Sequence, residues 1–170
     1  MRSKWFIVAT ILMLIVGLTG IVEAQSAAGV GTLEFVIAGN TISGNLSNSR
    51  LYSDKTVTMG MTLDYITQTS VGPVSVTGAG DWYGRANRTA LEGIIYNVSG
   101  TVKLCYIFYC PTASYIGYGT WSGALTNNST QAAGTFHCIL IFTSSEIQNI
   151  PLNTPLHVAG TWNSTLQASE

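Results

Sequence analysis

The chain has 170 residues, carries a formal net charge of −1, and is only 9% charged, against the roughly 25% usual for soluble domains. A phosphate-binding surface needs clustered lysine and arginine. None is present, which excludes nucleic acid as a partner. Hydration must come mainly from Thr, Ser and Asn, groups that do not titrate, so stability is expected to vary little with pH.

In chain order, the first element is an export signal. Arg2 and Lys4 precede an apolar run over 5–22, broken only by Thr10, Gly17, Thr19 and Gly20. Val22 and Ala24 stand at the −3 and −1 positions of a cleavage site before Gln25. The run is also long enough to be retained as a membrane helix, but the small-residue site favours cleavage. The expected division is a signal peptide at 1–24, a flexible leader with a candidate strand at 25–38, and a folded domain at 39–170.

Beyond residue 25 no segment keeps apolar residues at helical spacing over three turns, and alternation and β-branched residues dominate. Predicted strands are 31–38, 41–46, 56–65, 74–83, 90–96, 100–109, 115–125, 134–142 and 156–165. They are separated by Gly39-Asn40, Gly72-Pro73, Pro111, Asn127-Asn128 and the span from Pro151 to Pro155. Short strands without helices predict an all-β fold after the N-terminal signal helix. The expected form is a single β-sandwich of immunoglobulin-like or jelly-roll type, with a β-barrel as the alternative.

The most regular pattern is Gly-x-Trp, at Gly80-Asp81-Trp82, Gly119-Thr120-Trp121 and Gly160-Thr161-Trp162. Two copies extend to Gly78, Gly80, Trp82, Gly84 and to Gly117, Gly119, Trp121, Gly123. In a strand these residues share one face. The glycines leave room for each indole to lie flat, so the motif is expected to be a packing device. The functional alternative is a glycan-stacking platform built from Trp82, Trp121 and Trp162.

Cys105, Cys110 and Cys138 match no zinc spacing. In an exported chain they allow one disulfide and leave one thiol. If 100–109, 115–125 and 134–142 form a meander, Cys105 and Cys138 lie about 9.5 Å apart, too far for a bond. Cys105–Cys110 would close a local loop, and a partner for Cys138 would have to lie in an adjacent or opposed strand. Six sequons, at Asn45, Asn87, Asn97, Asn127, Asn128 and Asn163, suggest an N-linked glycan coat.

Acid/base chemistry is thin. Glu34, Asp54, Asp64, Asp81, Glu92, Glu146 and Glu170 are scattered singly, and His137 and His157 are far apart in sequence. A glycosidase needs two carboxylates across one bond, which Asp64 and Asp81 could supply only if folding joined them. No nucleophile elbow, zincin helix or phosphate loop occurs. The expectation is no enzymatic activity, no cofactor and no metal.

The segment after the cleavage site is small and flexible over 25–31, then strongly β-prone, with Leu33, Phe35 and Ile37 on one face. Such a strand can pair with a neighbouring subunit's sheet. Together, the export signal, short leader, apolar strand, Gly/Thr-rich all-β domain and many sequons resemble archaeal thread-type pilins. The resemblance implies a glycosylated cell-surface subunit whose Leu33, Phe35 and Ile37 fill the groove of the next subunit. Repeated head to tail, that contact makes a homopolymeric filament. The expected function is therefore a secreted structural or adhesive subunit whose partner is itself. The alternatives are a carbohydrate-binding module meeting surface glycans and, further off, a secreted hydrolase.

Overall fold

A computed structural model describes residues 29–37, 39–70, 72–126 and 130–170. The signal peptide expected at 1–24, the start of the leader, and the sequon residues Asn127 and Asn128 lie outside the described residues. The strands are β1 (Gly31–Ile37), β2 (Asn40–Tyr52), β3 (Thr56–Thr69), β4 (Gly72–Asn87), β5 (Ala90–Leu104), β6 (Thr112–Thr126), β7 (Gln131–Ser145), β8 (Pro155–Thr165) and β9 (Gln167–Ser169).

Each strand from β1 to β8 pairs antiparallel with its neighbours in sequence, and β1 pairs with both β2 and β8. The result is a closed up-and-down barrel rather than the expected sandwich. The short β9 adds in parallel to the end of β2. Inward apolar residues alternate with outward polar ones in sandwiches and barrels alike, so alternation cannot separate them. What decides is the pairing of the first strand with the last, through Leu33 opposite Trp162 and Phe35 opposite Gly160. That pairing leaves the eight-stranded wall no free edge.

The predicted strands 90–96 and 100–109 merge into one strand that ends at Leu104, and residues 105–109 of the prediction fall in the loop that follows. Asn97 adopts φ 53°, and the β5–β6 register shifts between Ile95 and Val98. This bulge moves the inward positions from odd to even numbers, so Leu91 and Ile95 before it, and Val98 and Val102 after it, all face the interior. Asn48, with φ 52°, makes a similar shift in β2, where the inward series passes from Leu46 to Ser49.

The Gly-x-Trp repeat forms the middle of the core. Trp82, Trp121 and Trp162 are 1, 3 and 2% exposed. Trp82 packs against Trp121, Phe136 and Trp162 at ring-centroid distances of 5.8, 5.6 and 5.9 Å. Trp121 meets Trp162 edge to face at 5.4 Å. The glycines act between strands rather than within them. A Cβ at Gly84, in the first motif, would strike the Trp121 ring, and one at Gly123, in the second, would lie 2.6 Å from Trp162. Each motif's trailing glycine thus makes room for the tryptophan of the next motif.

The two ends of the barrel differ. At the end holding the β2–β3, β4–β5 and β6–β7 connections, Leu91, Leu125 and Leu166 are buried. There Gly29 donates to the Thr165 carbonyl, Leu166 to Thr130 and Leu125 to Thr89. The buried Ser164 hydroxyl bonds both Ser49 Oγ and the Val30 carbonyl. That end is sealed. The opposite end, where β1–β2, β3–β4, β5–β6 and β7–β8 connect, is open.

Candidate functional site

The open end leads into a cavity of about 330 Å³ above the tryptophan layer. Inward positions near the strand ends line it: Phe35 and Ile42, Leu63 and Tyr65, Val76 and Val102, Leu140 and Phe142. Ile37 and Leu156 stand at the rim, and Thr67, Thr69 and Asn40 are its few polar neighbours. An eight-stranded barrel is just wide enough either to fill with side chains or to hold one small ligand. Here Trp, Phe and Leu fill the sealed half, while Val74, Val76 and Val102 leave the open half unfilled.

Tyr115 forms part of the cavity floor. It packs edge to face on Phe142 at 6.1 Å and donates its hydroxyl to the Thr77 carbonyl at 2.9 Å. Gly78 and Gly100 make room for its phenol, and a Cβ at either would collide with Tyr115 Oη. Burial, with a smaller contribution from nearby Cys138, pushes the Tyr115 pKa up to about 12. The buried Cys138 thiol donates to the Tyr118 carbonyl at 3.2 Å, and burial raises its pKa to about 11. The interior therefore holds neutral acids that hydrogen-bond backbone, and it offers a ligand no charge.

These two groups set an alkaline limit. Both folded pKa values are raised, so their stabilising contributions are complete below the ordinary values of 9.0 for Cys138 and 10.0 for Tyr115. They are lost as pH climbs through about 11 and about 12. Thermal melts stepped into the alkaline range should show a falling unfolding temperature, with C138A removing the earlier part of the fall. A wild-type melting temperature that stays level there would contradict this.

The sequence-derived candidates fall in different places. The three repeat tryptophans lie inside the barrel, so they cannot present the outer face that glycan stacking requires. Trp162 Nε1 donates to the Ser122 carbonyl at 3.1 Å, while Trp82 and Trp121 Nε1 have no acceptor among the described residues. Leu33 and Phe35 are buried in their own barrel and Ile37 lines its mouth. With β1 bonded on both sides, the groove expected to accept a neighbour's strand is filled by the chain's own.

Cys105 is bonded to Cys110, and Cys138 is free. This resolves the pairing that spacing left open, and β5, β6 and β7 do form the meander that separates Cys105 from Cys138. Asn45, Asn87, Asn97 and Asn163 are all exposed. Asn97 donates to Asp81 at 3.1 Å and Asn163 to Thr32 at 3.0 Å. Asp64 lies opposite Thr77 and Asp81 opposite Gly60, four residues away along β3. That is roughly 13 Å, beyond the separation a glycosidase pair uses.

Two features were hidden in the sequence. His137 and His157, read as isolated, lie side by side on the outer face with ring centroids 5.3 Å apart. The β7–β8 register signals this, since Ile139 opposite His157 places His137 on the diagonal. A wider furrow of about 710 Å³ crosses that face along Glu92, Ile94, Thr120, Ser122 and His137. It is open to solvent and encloses nothing, so the smaller mouth cavity is the better ligand site. No protein family, characterised protein or solved structure matches the chain.

Proposed function

We propose that this barrel binds one small, uncharged, largely apolar molecule in its open mouth. The carrying observation is the cavity of about 330 Å³, which falls at the small end of known ligand pockets. Its lining is almost wholly aliphatic and aromatic, and its far end is closed by the tryptophan layer. A compact hydrocarbon-rich molecule or the end of one acyl chain fits that chemistry. Thr67, Thr69 and Asn40, among the lining residues, can hydrogen-bond a polar end group left near solvent.

The exposed asparagines of four sequons support a secreted, N-glycosylated protein at the cell surface. The pairing of β1 within its own barrel weighs against a head-to-tail filament.

The test uses N-phenyl-1-naphthylamine, a neutral apolar probe. A probe held in the mouth lies just above Trp82, Trp121 and Trp162, so exciting the indoles should produce saturable probe emission with one site per chain. Emission that never saturates, or that arises without energy transfer from the indoles, would sink the reading.

A further inference from the structure

The loop joining β5 to β6 has the sequence Cys105-Tyr106-Ile107-Phe108-Tyr109-Cys110 and is closed by the disulfide. The Tyr106 N–H donates to the Tyr109 carbonyl at 2.8 Å, and the base is held by Cys105 to Pro73 and Leu104 to Pro111. A tight turn therefore lifts Ile107 and Phe108 to the apex, where they are 89% and 98% exposed. Tyr106 and Tyr109 flank them, half exposed. A folded chain gains nothing by showing water two large apolar side chains on a stapled tip, so their use lies in what they touch.

The charge distribution indicates what that is. The sealed end and the strand ends around it carry Arg50, Asp54, Lys55, Arg85, Arg88, Glu92 and Glu170. The connections at the open end carry Glu146 alone among the described residues, with Lys103 just inside β5. Glu146 is already bonded by the Thr112 backbone and hydroxyl, at 3.1 and 3.3 Å. Exposed Leu152 and Leu156 extend the apolar surface around the mouth. A protein partner is usually met by an apolar centre inside a polar, charge-matched rim; the exposed polar residues at this end, such as Gln68, Gln148, Asn149 and Asn153, are uncharged and supply no charge matching. Aliphatic and phenyl groups at the apex, with tyrosines one step back, follow the depth order of a bilayer interface.

We propose that the loop from Cys105 to Cys110 is a tip that inserts into a lipid bilayer and sets the barrel mouth-down on the membrane. The cavity then opens toward the phase in which an apolar molecule dissolves, so the ligand passes between bilayer and barrel without crossing water. That transfer route rests on the ligand-site reading above. The membrane contact stands without it.

The experiment uses the full chain and vesicles of neutral phosphatidylcholine, because the described residues of the open end hold no basic cluster to favour anionic lipid. In an F108W variant the added indole should shift to the blue on adding vesicles and be quenched by bromine atoms on the acyl chains. In an I107S/F108S variant, vesicle partitioning should fall at least about tenfold, as expected for losing two buried apolar side chains. Its binding of N-phenyl-1-naphthylamine in the mouth should not change, since neither residue lines the cavity. Emission from F108W that ignores vesicles, or undiminished partitioning of I107S/F108S, would overturn the proposal. A blue shift that appears without lipid and grows with protein concentration would overturn it too, identifying the tip as a contact between copies of the chain. Vesicle binding without probe binding would defeat only the ligand-site reading.

Discussion

Replacing Trp82 by alanine is expected to lower the unfolding free energy by about 3–5 kcal/mol, the range for removing a fully buried large aromatic. Trp82 touches Trp121, Phe136 and Trp162 at once, so the hole would open at the centre of the aromatic layer. Strands β4, β6, β7 and β8 meet there, and they cannot close on it without breaking barrel register. A single domain is stable by only about 5–15 kcal/mol, so W82A should approach the limit of folding. W82F should cost much less, because the Trp82 indole N–H has no acceptor among the described residues and phenylalanine leaves no polar group to satisfy. Denaturant melts of both variants provide the check. Equal losses for W82A and W82F would show that the layer depends on something other than ring packing.

The second large effect should separate binding from folding. Val102 is half-buried in the mouth, opposite Val76 on β4 and Ala113 on β6. Tryptophan at that position would extend into the empty space between Val76, Tyr115 and Leu140. V102W should weaken N-phenyl-1-naphthylamine binding at least about a hundredfold, or ~2.7 kcal/mol. Its melting temperature should hold or rise, because apolar volume is added where none is displaced. Probe titration and thermal melts on one sample measure both quantities. A folded V102W that binds the probe like the wild type would place the probe elsewhere.

Alternation, turn residues and the absence of helical spacing reveal an all-β chain and place most strands within a few residues. They do not reveal closure. The contact that makes a barrel joins Gly31 to Ser164, and no local pattern reports it. The break in β5 misleads for a physical reason: Asn97 in a left-handed conformation carries turn chemistry while serving as a bulge inside a continuous strand. The loop from Cys105 to Cys110 misleads in the opposite sense. Its aromatic and β-branched residues read as strand, yet the disulfide and the turn hold them out of the sheet. The role of the tryptophans as packing was visible in their glycines, but the relay from Gly84 to Trp121 and from Gly123 to Trp162 needs the strand neighbours. The mouth cavity was not legible at all, because its lining comes from all eight barrel strands and consists of residues that look like ordinary core.

The most direct test of a ligand site in the mouth is methyl NMR of the isoleucine-, leucine- and valine-labelled chain titrated with N-phenyl-1-naphthylamine. The methyls of Ile42, Val76, Val102, Leu140 and Leu156 should shift together and saturate. Those of Leu91, Leu125 and Leu166 at the sealed end, and of Ile94 and Ile116 on the outer wall, should stay in place. Shifts centred on Ile94 and Ile116, or no shift in the mouth at saturating probe, would contradict the assignment.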